Sequence, residues 1–89
     1  MESFTVHVDR KVQRGLRKLP RPVQRAFAFL LLDLESEGPI QKGWANFSAL
    51  GPGRYHCHLN YSYVACWTHD KGSIEIEVYY AGSRQAAPY

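Results

Sequence analysis

An apolar stripe between residues 23 and 34 constrains the fold of this chain more than any other feature. Its members stand at positions i, i+4, i+7, i+8 and i+11, and they are Val23, Phe27, Leu30, Leu31 and Leu34. This spacing is typical of one face of an α-helix. Gly38 and Pro39 follow, and they predict the end of the helix, because glycine tolerates a positive φ and proline cannot continue the hydrogen-bond ladder. The stripe therefore predicts a helix with one face buried against a second layer.

A strand and a shorter helix are predicted before this stripe. Residues 3–8 alternate between apolar and polar side chains, which is typical of a half-buried strand. Asp9 is a candidate N-cap for a helix reaching Leu19, with apolar residues at helical spacing. The segment Pro20–Pro22 ends that helix, and Pro22 suits the first turn of the next one. Two helices with so short a connection are expected to form an antiparallel pair.

Residues 39–53 are predicted to form a loop, anchored on the core by Trp44, Phe47 and Leu50. Three strand-like segments follow, with predicted bounds Arg54–Asn60, Tyr61–Thr68 and Ser73–Ala81. Residues 69–72 between the last two have good turn chemistry. In the last strand the apolar residues Ile74, Ile76 and Val78 are expected to point inward, and Glu75 and Glu77 outward.

The predicted element order is β-α-α-β-β-β, an α+β fold in which a helical hairpin packs on a small antiparallel-rich sheet. With 89 residues the chain is expected to form one domain over 1–89. The start, Met1 to Phe4, lacks the pattern of a signal peptide. The longest apolar run, 26–32, is too short to span a bilayer. A cytoplasmic protein without membrane contact is the expectation.

Two cysteines, Cys57 and Cys66, are too few for a disulfide framework. They could face each other across a hairpin, but two small, buried, reduced residues are the favoured interpretation.

Positive charge is concentrated near the start of the chain. Seven of the 11 lysines and arginines lie between residues 10 and 25, and with Glu2 and Asp9 they give the first 25 residues a charge of +5. The remainder carries −2, since the whole chain carries +3. Such a segment suits an anionic partner, either nucleic acid or an acidic protein, and the solvated face of an amphipathic helix explains it equally well.

The sequence RYHCHL places His56 and His58 two residues apart in a predicted strand, so both imidazoles are expected on one face. Two exposed residues without a role, a catalytic pair and a metal site all fit this spacing. A zinc site needs further ligands. Nothing in the spacing brings His7 or His69 to this pair, so no metal site is predicted.

Taken in order along nearly the full length, several segments resemble the RelE/ParE superfamily of bacterial type II toxins. They are the opening strand, the Leu19-Pro20 hinge, the helix ending in glycine, the tryptophan-bearing loop closing on Ala49-Leu50, the run 54–59, the ending 78–84 and the terminal Tyr89. The resemblance implies a RelE-like fold and a toxin that an antitoxin holds inactive, with a heterotetramer or larger complex as a possible assembly.

Within that superfamily two activities are open. Members similar to RelE or HigB are ribosome-dependent mRNA endonucleases that cut in the A site, without a metal or other cofactor. The ribosome and mRNA would then be partners of this chain. Members similar to ParE instead inhibit DNA gyrase. A catalytically weak or degenerate toxin, kept for antitoxin binding, is the third alternative.

Carried over position by position, the resemblance implies catalytic roles for His56, His58, Arg84 and Tyr89. The histidines stand where relatives often have lysine or arginine, and imidazole can act as base, acid or phosphate ligand. Arg84 would bind phosphate, and Tyr89 would stack on a base or donate a proton. Arg54 is a candidate for a further phosphate contact. Aromatic residues of the strands could stack on bases too, but most are expected to pack the sheet.

The third strand departs from the superfamily pattern. Its usual arginine would fall on Ser62 or Tyr63, and neither is a cation. A naturally weak enzyme, another cation in its place and an attenuating substitution are the open explanations. For the basic segment the resemblance favours contact with ribosomal RNA. The residues predicted to bind RNA there are Arg10, Lys11, Arg14, Arg17 and Lys18.

Overall fold

A computed structural model describes residues 3–89, in which two helices cover one face of a five-stranded sheet. In chain order the elements are β1 Thr5–Val8, α1 Arg10–Leu16, α2 Arg21–Glu37, β2 Ser48–Gly51, β3 Arg54–His58, β4 Tyr63–His69 and β5 Glu75–Ser83. The strand order across the sheet is β1-β5-β4-β3-β2. Strand β1 runs parallel to β5, and the other neighbours are antiparallel. Met1 and Glu2, which enter the expectations on the start of the chain and its charge, lie outside the described residues.

Helix α2 begins and ends as its sequence predicts, but α1 ends at Leu16 and not at the predicted Leu19. Beyond Leu16 the chain forms tighter turns, in which the Lys18 and Leu19 amides donate to the Gly15 and Leu16 carbonyls. The Asp9 carboxylate caps α1 by accepting a hydrogen bond from the Lys11 amide at 2.8 Å. At the end of α2, Gly38 has a φ of 92°, and a Cβ there would lie 2.8 Å from the Phe4 ring. Glycine is therefore required at this position by both its backbone and its neighbour. Within residues 3–89, no helix is long and apolar enough to cross a membrane.

The apolar stripe of α2 faces the sheet, as its spacing predicts. Four of its five residues are buried, and Leu31 is half-buried. Trp67 of β4 lies under the helices with no exposed surface, and its Nε1–H donates to the Pro39 carbonyl at 3.0 Å. Trp44 and Phe47 pack against this core, so the prediction of two loop anchors is confirmed. Leu50 is half-buried in a strand and is not part of the core.

Strand β2 corrects the prediction of a continuous loop over residues 39–53. Ser48 lies opposite His56 and Ala49 opposite Tyr55, and the register then shifts before Gly51. Four residues rich in small side chains give no clear alternation, which is why the pattern did not indicate a strand. A second correction concerns Ile74, which was expected to point inward. It lies in the turn before β5 and is 53% exposed.

The two cysteines lie on opposite faces of the sheet, and both are buried, as expected. Cys57 belongs to the core beneath the helices, where it lies opposite Ala65. Cys66 lies opposite His56, so its side chain is on the other face. The alternative in which the two thiols face each other across a hairpin is wrong, because Cys57 and Cys66 are not paired with each other and their side chains lie on different faces of the sheet.

Candidate functional site

The sheet face without helices carries the predicted site residues, because strand side chains alternate. In β3, Tyr55 and Cys57 pack toward the helices, so Arg54, His56 and His58 point the other way. We call this surface the histidine face. It consists of these three residues, Val64 and Cys66 of β4, and Arg84 and Tyr89 after β5.

His56 is the most enclosed polar residue of the histidine face, with 8% of its surface exposed. Its ring centroid lies 4.7 Å from that of Tyr89 and 5.7 Å from that of His58. The Ser48 hydroxyl lies 3.1 Å from His56 Nδ1. Strand β2 therefore holds one side of this imidazole, and the end of the chain covers the other.

His58 is more open and is bound by the loop before β2. Its backbone N–H donates to the Ala45 carbonyl at 2.8 Å, and its Nδ1 lies 3.2 Å from the Asn46 amide nitrogen. Burial lowers the pKa of His58, and the positive charges of His56 and Arg84 lower it further. Because the usual value is already near 6.5, His58 is mainly neutral at pH 7.

Arg84 extends the face beyond the end of β5. Its backbone N–H donates to the Ser62 carbonyl at 2.8 Å. Its guanidinium carbon lies 5.2 Å from the centroid of the Tyr61 ring, which is within cation–π range. Tyr61 is 82% exposed, so the ring and the guanidinium are both open to a ligand.

Tyr89 is the last residue of the sequence, and its ring packs against His56 on the histidine face instead of extending into solvent as a frayed tail. A turn after β5 redirects the chain, since Ala87 donates to the Arg84 carbonyl at 3.3 Å. Burial raises the pKa of Tyr89, with Cys66 adding to the rise and Arg84 opposing it. The phenol is therefore protonated at neutral pH and can donate a hydrogen bond.

The floor of the histidine face is apolar, although no helix covers it. Val64 and Cys66 have no exposed surface. Burial raises the pKa of the Cys66 thiol to about 11, so this thiol is neutral. The Tyr79 hydroxyl is buried nearby without a hydrogen-bond partner among residues 3–89, and burial raises its pKa while Arg54 opposes the rise. Imidazoles and a guanidinium on such a floor can hold a phosphate and move protons.

At the third-strand position, the structure separates the two candidates for the expected arginine. Tyr63 packs against the core on the helical side. Ser62 is exposed and lies beside Arg84, through the backbone hydrogen bond described above. Of the two candidate positions, Ser62 is therefore the one beside Arg84, whose backbone N–H its carbonyl accepts.

The basic residues of α1 lie apart from this face. Arg10, Lys11 and Arg14 are on the exposed side of α1, and Arg17 and Lys18 follow it. The helices pack on the opposite side of the sheet from His56. Of the residues predicted to bind RNA, only Arg54 shares the histidine face; the five others form a separate surface.

Sequence reasoning missed Asn46 and Ser48 as neighbours of the site, and it did not single out Tyr61 from the other aromatic residues that could stack on bases. The two former act through β2 and its preceding loop, which were not predicted to pair with β3. Gly51-Pro52-Gly53 between two short apolar segments was an available hairpin signal. Among residues 3–89, no three His, Cys, Asp or Glu side chains are grouped as a metal site would require.

No protein-family model matches the chain, and no curated protein sequence matches it. Several solved structures are similar in fold. A chain of the archaeal RelE–RelB complex from Pyrococcus horikoshii OT3 has a TM-score of 0.75 at 18% identity, covering 96% of this chain and 99% of that chain. The isolated E. coli RelE toxin has a TM-score of 0.71 at 17% identity, covering 97% and 89%. A chain of the YoeB–YefM complex from Staphylococcus aureus has a TM-score of 0.70 at 13% identity, covering 91% and 97%. The chain therefore has the RelE-like α+β fold, and that prediction is confirmed.

Proposed function

We propose that this chain, which shares its fold with RelE and YoeB toxins, is the toxin of a type II toxin–antitoxin pair. Its proposed activity is ribosome-dependent cleavage of mRNA in the A site, without a metal, which stops translation. The observation that carries this proposal is the ring contact of His56 with both His58 and Tyr89, next to the exposed guanidinium of Arg84.

Cleavage of RNA without a metal needs a base, a cation for the phosphate and an acid. The ribose 2′-oxygen attacks the adjacent phosphorus in line, and an imidazole of the histidine face takes its proton. The bond from phosphorus to the 5′-oxygen breaks, and an acid protonates that oxygen. The products are a 2′,3′-cyclic phosphate and a 5′-hydroxyl. His56 and His58 would supply base, acid or phosphate ligand, Arg84 would bind the charged phosphate, and Tyr89 would stack or act as the acid.

Two further surfaces have proposed partners. The cations of α1 would bind ribosomal RNA, so binding should weaken steeply as salt rises. An antitoxin would cover the sheet and the groove beside the helices with an amphipathic or acidic segment. Phe29 and Leu32 of α2, which are 64% and 60% exposed, are suitable apolar contacts for it. The similar YoeB–YefM structure of Staphylococcus aureus is described as a heterotetrameric toxin–antitoxin complex.

Primer extension on mRNA from a translating extract tests the nuclease proposal. Wild-type protein in excess should cut mRNA only when ribosomes translate it, and His56→Ala or Arg84→Ala should reduce the rate by ~100-fold or more. His7→Ala is the matched control, because His7 is an exposed strand histidine whose Nε2 pairs with Glu75 at 2.8 Å. Intact mRNA with excess wild-type protein would refute the activity.

A ParE-like gyrase inhibitor is the second candidate, and Ser62 in place of a catalytic cation favours it. Supercoiling by purified gyrase should then stop when the protein is added, while mRNA in the translating extract stays intact. A protein inactive in both assays that still binds the product of an adjoining gene would be a degenerate toxin.

A further inference from the structure

Asn46 has a backbone conformation that only glycine adopts easily. Its φ is 54°, and it is the one non-glycine residue of the described range 3–89 with a positive φ. Asparagine tolerates this left-handed region better than most residues, but holding it still costs free energy. In this conformation the side-chain amide nitrogen of Asn46 lies 3.2 Å from Nδ1 of His58.

The chemistry of that contact selects one form of His58. An amide nitrogen carries two hydrogens and no lone pair to offer, so it can only donate. His58 Nδ1 must then be unprotonated, and the neutral ring carries its proton on Nε2. A protonated imidazole would place an N–H of Nδ1 against the N–H of Asn46, so the cation would require the amide to turn and present its oxygen.

The contact of His56 is chemically different. Its Nδ1 lies 3.1 Å from the Ser48 hydroxyl. A hydroxyl both donates and accepts, and it rotates to suit its partner. Ser48 therefore satisfies His56 with Nδ1 protonated or unprotonated, so this imidazole can gain and lose a proton without losing its hydrogen bond.

We propose that Asn46 and Ser48 are positioning residues that give the two histidines different roles. Asn46 holds His58 as the neutral Nε2–H tautomer, a hydrogen-bond donor for a phosphate oxygen. Ser48 leaves His56 free to change its protonation state. If the chain cleaves RNA as proposed above, this difference between the histidines makes His56 the residue that takes the 2′-hydroxyl proton.

The charges around His58 agree with a neutral ring. The titratable and charged groups that face it are His56 on its own strand and Arg84 beyond β5, and both lower its pKa, in addition to burial. Tyr89 faces His56 from the far side. In residues 3–89, the one ion pair that includes a histidine is His7 with Glu75 on β1 and β5. No described carboxylate thus pairs with His58 to favour its cation.

Nitrogen NMR of the histidine side chains tests the proposal on the free protein, without RNA or ribosomes. Wild-type His58 should show an unprotonated Nδ1 and a protonated Nε2 at neutral pH. Asn46→Asp replaces the donor with an acceptor, so His58 should switch to the Nδ1–H tautomer and its midpoint should rise by about one pH unit or more. Asn46→Gly keeps the left-handed backbone without strain and removes the amide, so the midpoint should rise by less.

Asn60→Asp is the matched control. It adds the same charge at an exposed asparagine whose side-chain oxygen already accepts from the Ser62 and Tyr63 amides. The His58 tautomer should not change in this variant. An Nδ1–H tautomer in wild-type protein would overturn the proposal, and so would a His58 midpoint that Asn46→Gly leaves unchanged. Because these readouts need no substrate, their failure is distinct from a failure to cleave mRNA.

Discussion

Raising the pH tests the burial of Cys57 and Cys66, which underlies both faces of the sheet. Burial raises the pKa of the Cys57 thiol from 9.0 to about 12, and that of Cys66 to about 11. Since the folded state favours the neutral thiol, this contribution to stability is fully present below pH 9.0. It is lost as the pH rises from there toward the folded pKa. At about pH 10 each unfolded thiol gains on the order of 1 kcal/mol by ionising, so the two together cost roughly 2 to 3 kcal/mol of folding free energy.

Urea unfolding near neutral pH and at about pH 10 measures this loss. Between the two conditions, Cys57→Ala and Cys66→Ala should each lose roughly 1 kcal/mol less folding free energy than wild-type protein. Any cavity cost is present at both pH values and cancels in the comparison. Thiolate absorbance of the folded protein gives an independent measure. Equal losses in wild-type and variant proteins, or a thiolate signal from the folded state near pH 9, would refute the reasoning.

Two further substitutions test the hairpin turn and the third-strand position. Gly53→Ala should lower the free energy of unfolding by about 2 kcal/mol or more, because Gly53 has a φ of 67° and a Cβ there would lie 2.5 Å from the His69 carbonyl oxygen. Gly43→Ala, with open space around the added carbon, should change it by less than about 0.5 kcal/mol in the same urea titration. Ser62→Arg adds a cation beside Arg84 and should raise the mRNA cleavage rate about tenfold or more in the translating extract. An unchanged or lower rate would mean that cleavage uses no cation at position 62 in addition to Arg84.

The helices could be predicted from the sequence because local chemistry determines them. Asp9 caps α1, and Gly38 ends α2 under two constraints that only glycine meets. Strand β2 could not be predicted in the same way, since residues 48–51 become a strand only by pairing with β3. The position of Ile74 depends on where β5 begins, and that start pairs with both β1 and β4: the Thr5 N–H donates to the Ile74 carbonyl, and His69 lies opposite Ile76.

The candidate site could likewise be predicted only where local sequence determines it. Alternation within one strand is a local property, and it placed His56 and His58 on one face. The contacts that distinguish the two imidazoles come from Asn46, Ser48 and Tyr89, which are distant in sequence. Resemblance suggested a role for Tyr89 but could not place it against His56, because the turn after β5 decides where the chain returns.

The residues of the histidine face also bury the side of the sheet that no helix covers. A substitution there can therefore reduce stability as well as activity. No helix covers Val64 and Cys66, yet neither has exposed surface. The Tyr89 ring lies against the imidazole of His56, and Cys66 is close enough to contribute to the raised pKa of the Tyr89 phenol. A variant of Tyr89 would therefore lose burial together with any chemical role. Arg84 is exposed and its side chain lies against the exposed ring of Tyr61, so its removal leaves the floor closed. Loss of activity in Arg84→Ala is for this reason the cleaner sign of chemistry at this face.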